Sequence, residues 1–548
     1  MSGNKMVVVT RLGTIVASAL VISLIASMMT TLPYGRAFHD LFTLLDGAYR
    51  VSVGQLPGVD FASPIGPLLL YFMRWGQILW PAGHDYVTYH AITWLFMLPP
   101  MAVLSLRLRS GLAFAGAFAL LAVMILLPMT LDDTYLSEIS YFASYNRFAS
   151  GLLFLLSLWL VLPKGRIDGV LLAYLLLLMA FIKITAGMVG LGMLICAVIL
   201  GRASLRIAIE ALCLLVAVLL LLDVSTGMVS GYLHDIGTMI ALNEGGGLYK
   251  LFYYGFNNWL VLFLLGLLVL SALYKAVSSS ELSRLCLVDF TRTVWQREAF
   301  IVDAVLITVA VWGAESQNTG SLGLIPAAAI FFHPAAWREY RLVNMALLAA
   351  LVFPVADMAV KRSIRAYVRE NKPAPVQPLE PMVKGTRVPF TTYEGARFFS
   401  EIFRDKLELT REVQNNRFFI TLDPTSNAPA AQLALHMDTI EAARLFEERG
   451  YRKLANHYAS LYFSDPFGMM LGLMPAKGTM LTMDADRTVP RFNDEQAHDY
   501  LKTVDGVFVG HCDLHNEEFD KMFANVLEAE FDGYPLTQCW SFYARKQP

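Results

Sequence analysis

The sequence has few charged residues for its length. Asp, Glu, Lys and Arg make up 16% of its 548 residues, whereas 56% are hydrophobic. A soluble protein carries about 25% charged residues, so a water-exposed surface cannot be built over the whole chain. The net charge is −2, and this balance indicates neither nucleic acid nor an anionic surface as a partner.

Common catalytic and metal-binding motifs are also absent. The chain contains no Walker-type nucleotide loop and no Gly-x-Ser-x-Gly sequence. Its five cysteines show no Cys-x-x-Cys spacing. Cys512 and Cys539 lie in the polar C-terminal part, where they either form a disulfide or remain separate thiols, and the sequence slightly favours separate thiols. The run from His511 to His515 follows a predicted strand in a turn and is not expected to bind zinc.

Long uncharged runs contain most of the apolar residues. Runs that are apolar on every face belong in lipid or inside a helix bundle. The first run is long enough to be an uncleaved spanning helix, whereas a cleaved signal peptide would have a shorter apolar core. About eleven segments are predicted to span a membrane: Leu12–Leu32, Val87–Leu106, Gly111–Leu131, Phe148–Leu162, Gly169–Ile184, Gly187–Leu200, Ile207–Leu222, Trp259–Leu273, Phe300–Ala314, Ser321–Phe332 and Leu342–Val360.

Basic residues in short loops predict the orientation, because Lys and Arg are retained on the cytoplasmic side. If Pro64–Trp80 lies on the outer interface, nearly all basic loops fall inside; if it spans, they move outside. The first arrangement predicts a cytoplasmic N-terminus and a periplasmic C-terminal domain. It requires two short helices around Lys183–Gly187. The basic residues that fall inside are Lys5, Arg11, Arg107, Arg109, Lys164, Arg166, Arg202, Arg206, the group from Lys275 to Arg297, Arg338 and Arg341.

The composition changes after Val360. Residues 361–385 are basic and proline-rich, which predicts an extended linker between a membrane domain (residues 1–360) and a soluble α/β domain (residues 386–548). The predicted strands of this domain are Phe418–Leu422, Thr479–Met483, Gly506–Val509 and Gln538–Tyr543. The predicted helices are Thr439–Glu448, Asp494–Leu501 and Glu517–Leu527.

The first outer loop has a distinctive order of polar residues and glycines. Asp40 follows the first span, next to His39, and is followed by Gly54, by a Pro-Gly-Val-Asp-Phe segment containing Asp60, and by Gly-Pro-Leu at residues 66–68. A carboxylate near the lipid boundary costs free energy unless it is paired or functional. Desolvation also raises the pKa of a carboxyl group, which suits a general base. By position alone, a solvated loop acid or a helix N-cap is the alternative.

This pattern resembles the first periplasmic loop of the GT-C glycosyltransferases. These are polytopic enzymes that use polyprenyl-phosphate sugars, such as the aminoarabinose and protein-mannosyl transferases. In that family an Asp on this loop activates the acceptor, and the resemblance gives this role to Asp40. The family's frequent Glu after the Asp is Leu41 in this chain, so a role that needs the pair is not implied. The resemblance also implies juxtamembrane helices in this loop. It covers the first loop well, the other spans only in layout, and the tail hardly at all.

Other outer segments supply further candidates. The neighbouring acids Asp132 and Asp133 are predicted as further catalytic residues, which hold either a divalent cation or the acceptor; the alternative is that they merely cap a helix. Arg147 is one of few outer cations and is predicted to contact the lipid phosphate, with snorkelling to headgroups as the alternative. Lys183 lies between two apolar runs and either binds the donor phosphate or caps the outer turn. The predicted substrate-binding residues are Arg147, Lys183, Asn146, Tyr145, Asp60 and His39.

The sequence thus predicts a glycosyltransferase of a bacterial inner membrane. It would move a sugar from a polyprenyl-phosphate donor to a glycan, lipid or protein acceptor on the periplasmic face, with inversion and with Asp40 as general base. A divalent cation is the one cofactor considered, and membrane lipids are expected partners. The rivals are a transporter or flippase of lipid-linked glycans, and a non-catalytic assembly scaffold. A transporter would place charges along a path through the helices, but the spans hold few acids: Glu210, Asp303 and Asp357.

Overall fold

The structure, a computed structural model, describes residues 3–131, 139–141, 143–243, 247–278, 299–317, 322–338, 340–370, 379–380, 382–405, 429–512 and 517–547. Up to residue 370 the described chain is mainly helical. A 3₁₀ helix, Ile325–Phe332, precedes the last helix of this part. The α-helices are α1 (Gly3–Met28), α2 (Phe38–Ser52), α3 (Pro67–Leu79), α4 (Asp85–Ser105), α5 (Gly111–Leu126), α6 (Ser144–Val161), α7 (Asp168–Ile182), α8 (Ile184–Ile199), α9 (Leu205–Thr226), α10 (Met228–Leu242), α11 (Gly247–Asn257), α12 (Trp259–Ser278), α13 (Ala299–Glu315) and α14 (Arg341–Glu370).

Apolar side chains cover the outside of this helical part. Leu112 on α5 is 85% exposed, and Val224 on α9 is 89% exposed. Among the described residues, four helices are long and apolar enough to cross a membrane, or five if the bent pair α11–α12 is one span. Apolar surface of this extent is not tolerated in water, so the chain is a multi-pass membrane protein. The predicted number of about eleven spans stays a prediction.

The predicted orientation depends on a helix break near Lys183 and on the position of Pro64–Trp80. Helix α7 ends at Ile182 and α8 begins at Ile184, with Lys183 between them at φ −156° and ψ 113°. The predicted pair of short helices is therefore confirmed. Helix α3 has 13 residues, which gives it a length of about 20 Å. That is shorter than a hydrocarbon core of about 30 Å, but α7 and α8 have only 15 and 16 residues, so the interfacial position of Pro64–Trp80 stays a prediction.

Basic residues gather at one end of the helix bundle. Arg11 donates to the carbonyls of Ser105 and Leu108 at the end of α4. Arg107 pairs with Asp168, and Arg202 Nε lies 2.7 Å from Asp303 Oδ1. The other end of α4 begins beside the C-terminal part, where His84 contacts Thr386. These basic residues therefore lie together at one end of the bundle, as the predicted orientation requires. The side of the membrane that this end faces stays a prediction.

The C-terminal part contains a mixed five-stranded sheet. Its strands are β4 (His457–Leu461), β5 (Met474–Pro475), β7 (Gly506–Gly510), β8 (Phe531–Pro535) and β9 (Trp540–Arg545). Their order across the sheet is β5-β4-β7-β9-β8. Strand β4 pairs in parallel with β5 and β7, whereas β9 is antiparallel to β7 and β8. The helices are α15 (Phe390–Asp405), α16 (Pro429–Glu448), α17 (Phe467–Leu471), α18 (Asp494–Leu501) and α19 (Glu517–Glu530).

Most predicted elements of this part are found. Strands occur near residues 479, 506 and 540, and helices occur at all three predicted places. Strands β4 and β8 were not predicted. The sequence of β8 holds Asp, Gly and Pro, residues that sheet interiors disfavour and that an edge strand accepts. The predicted strand Phe418–Leu422 lies outside the described residues.

The predicted linker is partly helical. Helix α14 continues to Glu370, so residues 361–370 are helical rather than extended as predicted. Lys361 Nζ lies 2.7 Å from Asp357 Oδ2 one turn earlier, a spacing that supports a helix beyond the apolar stretch.

The C-terminal part is bound closely to the first outer loop. The two-residue strands β1 (Leu32–Pro33) and β3 (Thr386–Arg387) pair in parallel, as do β2 (Phe61–Ala62) and β6 (Thr479–Met480). The predicted strand at residue 479 therefore joins the first loop and not the main sheet. The Asp60 carboxylate lies 2.9 Å from Lys477 Nζ across the same junction.

Cys512 and Cys539 form a disulfide in this structure. The sequence slightly favoured two separate thiols, and this preference is wrong. The register explains the correction, because Gly510 at the end of β7 pairs with Trp540 at the start of β9. Residues just beyond this pair are neighbours in space although 27 positions separate the two cysteines.

A buried cluster of charges holds α2 against the C-terminal part. Arg50 Nε lies 3.0 Å from Asp46 Oδ2, and both side chains are fully buried. Arg50 Nη1 also donates to Thr479 Oγ1 at 2.9 Å. Burial raises the pKa of Asp46 to about 7, against the attraction of Arg50 and with the help of the nearby charge of Asp465. Burial also raises the pKa of Asp465, again against the attraction of Arg50.

This cluster predicts that stability falls as pH rises. The folded pKa of Asp46 is raised, so the folded state binds this proton more tightly than the unfolded state. The resulting stability is fully present below the unfolded pKa of about 4 and is lost as pH rises through about 7. We expect thermal unfolding of the purified protein to shift to lower temperature between about pH 5 and about pH 8.

Two matched variants test whether Asp46 causes this pH dependence of stability. Asp46→Asn removes the titrating group and should flatten the pH dependence by up to about 1.4 kcal/mol per pH unit. Asp532→Asn changes an exposed carboxylate on β8 and should keep the wild-type slope. An unchanged slope in Asp46→Asn would show that another group titrates.

Candidate functional site

A chamber of about 220 Å³ lies where α2, the start of α6, α10 and the C-terminal part meet. Its volume is just below the range of about 300–1,000 Å³ typical of drug-sized ligand pockets. It suits one sugar ring or phosphate group and not an isoprenoid chain. The polar and aromatic residues of its wall include Asp40, Thr43, Tyr141, Ser144, Tyr145, Asn243, Phe463, Thr482, Asp484, Arg487 and Thr488.

Asp40 is held in this wall by two neighbours. It lies in the first turn of α2, and its Oδ2 accepts the N–H of Ala143 at 2.7 Å. Its Oδ1 lies 3.1 Å from His39 Nε2, and the carboxylate side chain is 19% exposed. Ala143 has φ 42°, a left-handed conformation that a residue with a Cβ seldom adopts. The bond to Asp40 therefore also holds a strained backbone position.

A hydrogen-bonded chain from the C-terminal part orients His39. The Phe38 N–H donates to Gln432 Oε1 at 3.1 Å, which leaves the Gln432 Nε2 facing His39 Nδ1. Because an amide nitrogen can only donate, Nδ1 accepts and Nε2 carries the proton. His39 Nε2–H then donates to the Asp40 carboxylate and fixes its orientation. Gln432 is 4% exposed and is a positioning residue that the sequence reasoning missed.

Tyr145 separates the chamber from a buried ammonium group. Lys183 Nζ donates to Asn146 Oδ1 and lies 5.4 Å from the centroid of the Tyr145 ring. Behind it, Ser150 Oγ donates to Glu315 Oε1 at 2.6 Å, and the Glu315 side chain is fully buried. Tyr145 lines the chamber, whereas Asn146 and Lys183 do not. The phosphate contact predicted for Lys183 stays a prediction.

Arg147 lies outside the chamber wall. Its Nη1 donates to the carbonyls of Leu127 and Met129, and its Nη2 donates to the Tyr86 hydroxyl at 2.8 Å. Helix α5 ends at Leu126, and carbonyls at a helix C-terminus lack partners within the helix and favour a cation. A phosphate would have to displace these acceptors. The phosphate contact predicted for Arg147 stays a prediction.

The remaining candidates differ in outcome. Asp60 accepts the Leu56 N–H and binds Lys477, so it fastens the loop to the C-terminal part and does not line the chamber. Asp132 and Asp133 lie outside the described residues, so their catalytic role stays a prediction. Among the described residues no group of three His, Cys, Asp or Glu could hold a metal ion. The divalent cation also stays a prediction.

Arg487 and Asp484 bring charge to the chamber from the C-terminal part. The main-chain carbonyl of Asp484 accepts the backbone N–H groups of residues 487–489. The carboxylate of Asp484 lies 2.8 Å from Arg487 Nη1. Asn243 of α10 donates to the Arg487 carbonyl at 3.0 Å. The Arg487 side chain is 72% exposed. Its short polar turn has no recognisable motif, and only the fold places it opposite Asp40.

Comparison with known proteins gave distant likenesses only. No family model and no curated protein matches the chain. Its structure is similar to ArnT from Cupriavidus metallidurans in the apo state, at 13% identity and a TM-score of 0.43, over 97% of each chain. It is also similar to the Archaeoglobus fulgidus oligosaccharyltransferase, at 13% identity and a TM-score of 0.36, over 97% of this chain and 73% of that one. These likenesses are too weak to assign an activity.

Proposed function

We propose that the chain is a GT-C-type glycosyltransferase that moves a sugar from a polyprenyl-phosphate donor to a cell-envelope acceptor. The observation that carries the proposal is the setting of Asp40. Its carboxylate lines a chamber between the membrane helices and the C-terminal part and is oriented by His39 and by the Ala143 N–H. The reaction takes place on the periplasmic face of a bacterial inner membrane, with the basic end of the bundle in the cytoplasm.

Asp40 acts as the general base. It takes the proton of an acceptor hydroxyl while that oxygen forms a bond to the anomeric carbon of the sugar. The bond between this carbon and the phosphate oxygen breaks, and its electron pair leaves with the polyprenyl phosphate. One direct displacement inverts the anomeric configuration. The hydrogen bond from His39 holds the Asp40 carboxylate in place before the acceptor arrives, so little reorganisation is needed during the step.

Arg487 is the cation best placed to receive the donor phosphate. A phosphate ester that leaves needs stabilisation of its charge more than it needs protonation. Arg487 lines the chamber, and its guanidinium pairs with the Asp484 carboxylate while the arginine side chain stays 72% exposed. Solvent around the arginine weakens this pair, so a phosphate can replace the carboxylate or share the guanidinium with it. A guanidinium also binds phosphate through two parallel hydrogen bonds.

Arg487→Gln is expected to weaken donor use by roughly 10- to 100-fold, because a charged hydrogen bond contributes about 1.5–3 kcal/mol. The change should appear mainly in the KM for the donor, measured by steady-state transfer in proteoliposomes. Arg491→Gln is the matched control. Arg491 is equally exposed and pairs with Asp486 at 2.8 Å, but it does not line the chamber. Equal activity of the two variants would remove Arg487 from the site.

The activity itself is tested with labelled polyprenyl-phosphate sugar. Reconstituted protein is incubated with the donor and with fractionated envelope acceptors, and label that moves to an acceptor is measured. In parallel, access of an impermeant reagent to the sugar reports transbilayer movement. Transfer supports the proposal. Movement of the intact donor without transfer would identify a flippase instead.

A further inference from the structure

A second cavity, of about 840 Å³, lies on the outside of the helix bundle between α5, the 3₁₀ helix and α14. Its lining is apolar along most of its length, with Leu112, Leu120 and Val123 on one side and Phe331 and Trp337 on the other. The polar members of the lining, Arg109, Ser110 and His333, are together at one end. Because Leu112 is 85% exposed, this groove opens toward lipid and not toward the bundle interior.

The groove has the length of one lipid leaflet. Leu112 and Val123 both line it and lie about 16 Å apart along the axis of α5. The hydrocarbon core of a bilayer is about 30 Å thick, so the groove covers about half of it. Its polar end lies at the basic end of the bundle, next to Arg107. The chamber that contains Asp40 is at the opposite end.

Arg109 contributes an unbalanced charge to the mouth of this groove. Its neighbours at this end are neutralised, since Arg107 pairs with Asp168 and Arg202 pairs with Asp303. Within the described parts of the chain, Arg109 has no hydrogen-bond or ion-pair partner. A guanidinium at the boundary between an apolar groove and water is complementary to a phosphodiester whose chains lie in the groove.

We propose that this groove is a binding site for an anionic glycerophospholipid of the leaflet at the basic end of the bundle. The acyl chains lie along α5 and the 3₁₀ helix, and the headgroup phosphate binds Arg109. The bound lipid fills the space between α5 and α14 and supports the helix that leads to the C-terminal part. The site does not depend on the proposed transferase activity, because it is at the other end of the membrane helices from Asp40.

The test uses the full-length protein in nanodiscs of equimolar phosphatidylglycerol and phosphatidylcholine. After brief detergent extraction, native mass spectrometry counts the lipids of each class that remain bound. Arg109→Gln should weaken retention of phosphatidylglycerol about fivefold, which corresponds to roughly 1 kcal/mol for one cation at an anionic headgroup. Retention of phosphatidylcholine should not change. Arg166→Gln, which alters an exposed cation of a neighbouring loop, should behave as wild type.

Filling the groove gives an independent readout. The Cβ direction at Gly116 meets only the Phe332 ring, at 3.9 Å, so Gly116→Leu projects into the groove and not into backbone. This variant should lose both lipids, and its unfolding should no longer shift when phosphatidylglycerol is added. Full lipid retention in Gly116→Leu, or equal phosphatidylglycerol retention in Arg109→Gln and Arg166→Gln, would overturn the proposal.

Discussion

Asp40→Asn should lower sugar transfer by roughly 10²- to 10⁴-fold, the usual contribution of a general base. The asparagine side chain cannot take the acceptor proton, so the attacking oxygen remains a weak nucleophile. The donor should still bind, because the cation proposed for its phosphate is Arg487 on another part of the wall. We therefore expect a large fall in kcat with little change in the KM for the donor, measured in proteoliposomes.

The geometry explains why this variant should remain folded. The carboxylate oxygen Oδ2 accepts the Ala143 N–H at 2.7 Å, and an amide oxygen can accept the same bond. The amide nitrogen then faces the His39 Nε2–H and cannot accept it, but His39 is 22% exposed and Asp40 is 19% exposed, so water can accept this proton. Unfolding temperatures of wild type and variant should agree closely.

The control for Asp40 is Asp532→Asn, the same chemical change at an exposed position of β8. It should transfer sugar at the wild-type rate. Wild-type activity in Asp40→Asn would reject the general-base role, whatever the function of the chamber. A wild-type protein that transfers no label but binds partners through its C-terminal part would favour the scaffold.

Arg50→Ala should lower the free energy of unfolding by roughly 3–5 kcal/mol, as is typical when one partner of a buried ion pair is removed. The change leaves two buried carboxyl groups, Asp46 and Asp465, without their shared cation. It also removes the hydrogen bond to Thr479 that ties α2 to the C-terminal part. Limited proteolysis should cut this junction much faster than in wild type, and thermal unfolding should begin at a lower temperature.

An exposed arginine provides the comparison. Arg444 on α16 pairs with Glu441 and Glu448, and its side chain is 51% exposed. Surface pairs contribute about 0–1 kcal/mol, so Arg444→Ala should unfold nearly as wild type. Lower pH should partly rescue Arg50→Ala, because protonation removes the buried negative charges. Equal stability of the two variants would contradict the buried-cluster interpretation.

Patterns that repeat along the chain could be interpreted without a structure. Apolar runs placed the membrane helices, and Lys183 marked the break between α7 and α8, because a charged side chain interrupts an apolar helix at a cost. The first-loop pattern singled out Asp40, which lines the chamber. Helix α18 was predicted at its observed bounds because an Asn cap and acidic residues in the first turn are strong local signals.

Long-range contacts could not be predicted in this way. The hydrogen bonds from the Arg147 guanidinium to the carbonyls of Leu127 and Met129 after α5 have no signal in the sequence. The partner of Cys512 depended on the antiparallel register of β7 and β9. Gln432 and Arg487 lie 392 and 447 positions after Asp40, and no local pattern connects such residues.

The sequence by itself determined that the chain is a membrane protein, that the apolar stretch around Lys183 breaks into two helices, and which carboxylate merits a catalytic hypothesis. These features follow from hydropathy and short-range spacing, which act between residues close in the chain. Only the tertiary structure decided which groups surround that carboxylate and which carbonyls or acids lie next to each cation. Those outcomes depend on desolvation and hydrogen bonding between distant segments, which exist only after the C-terminal part has folded against the first loop.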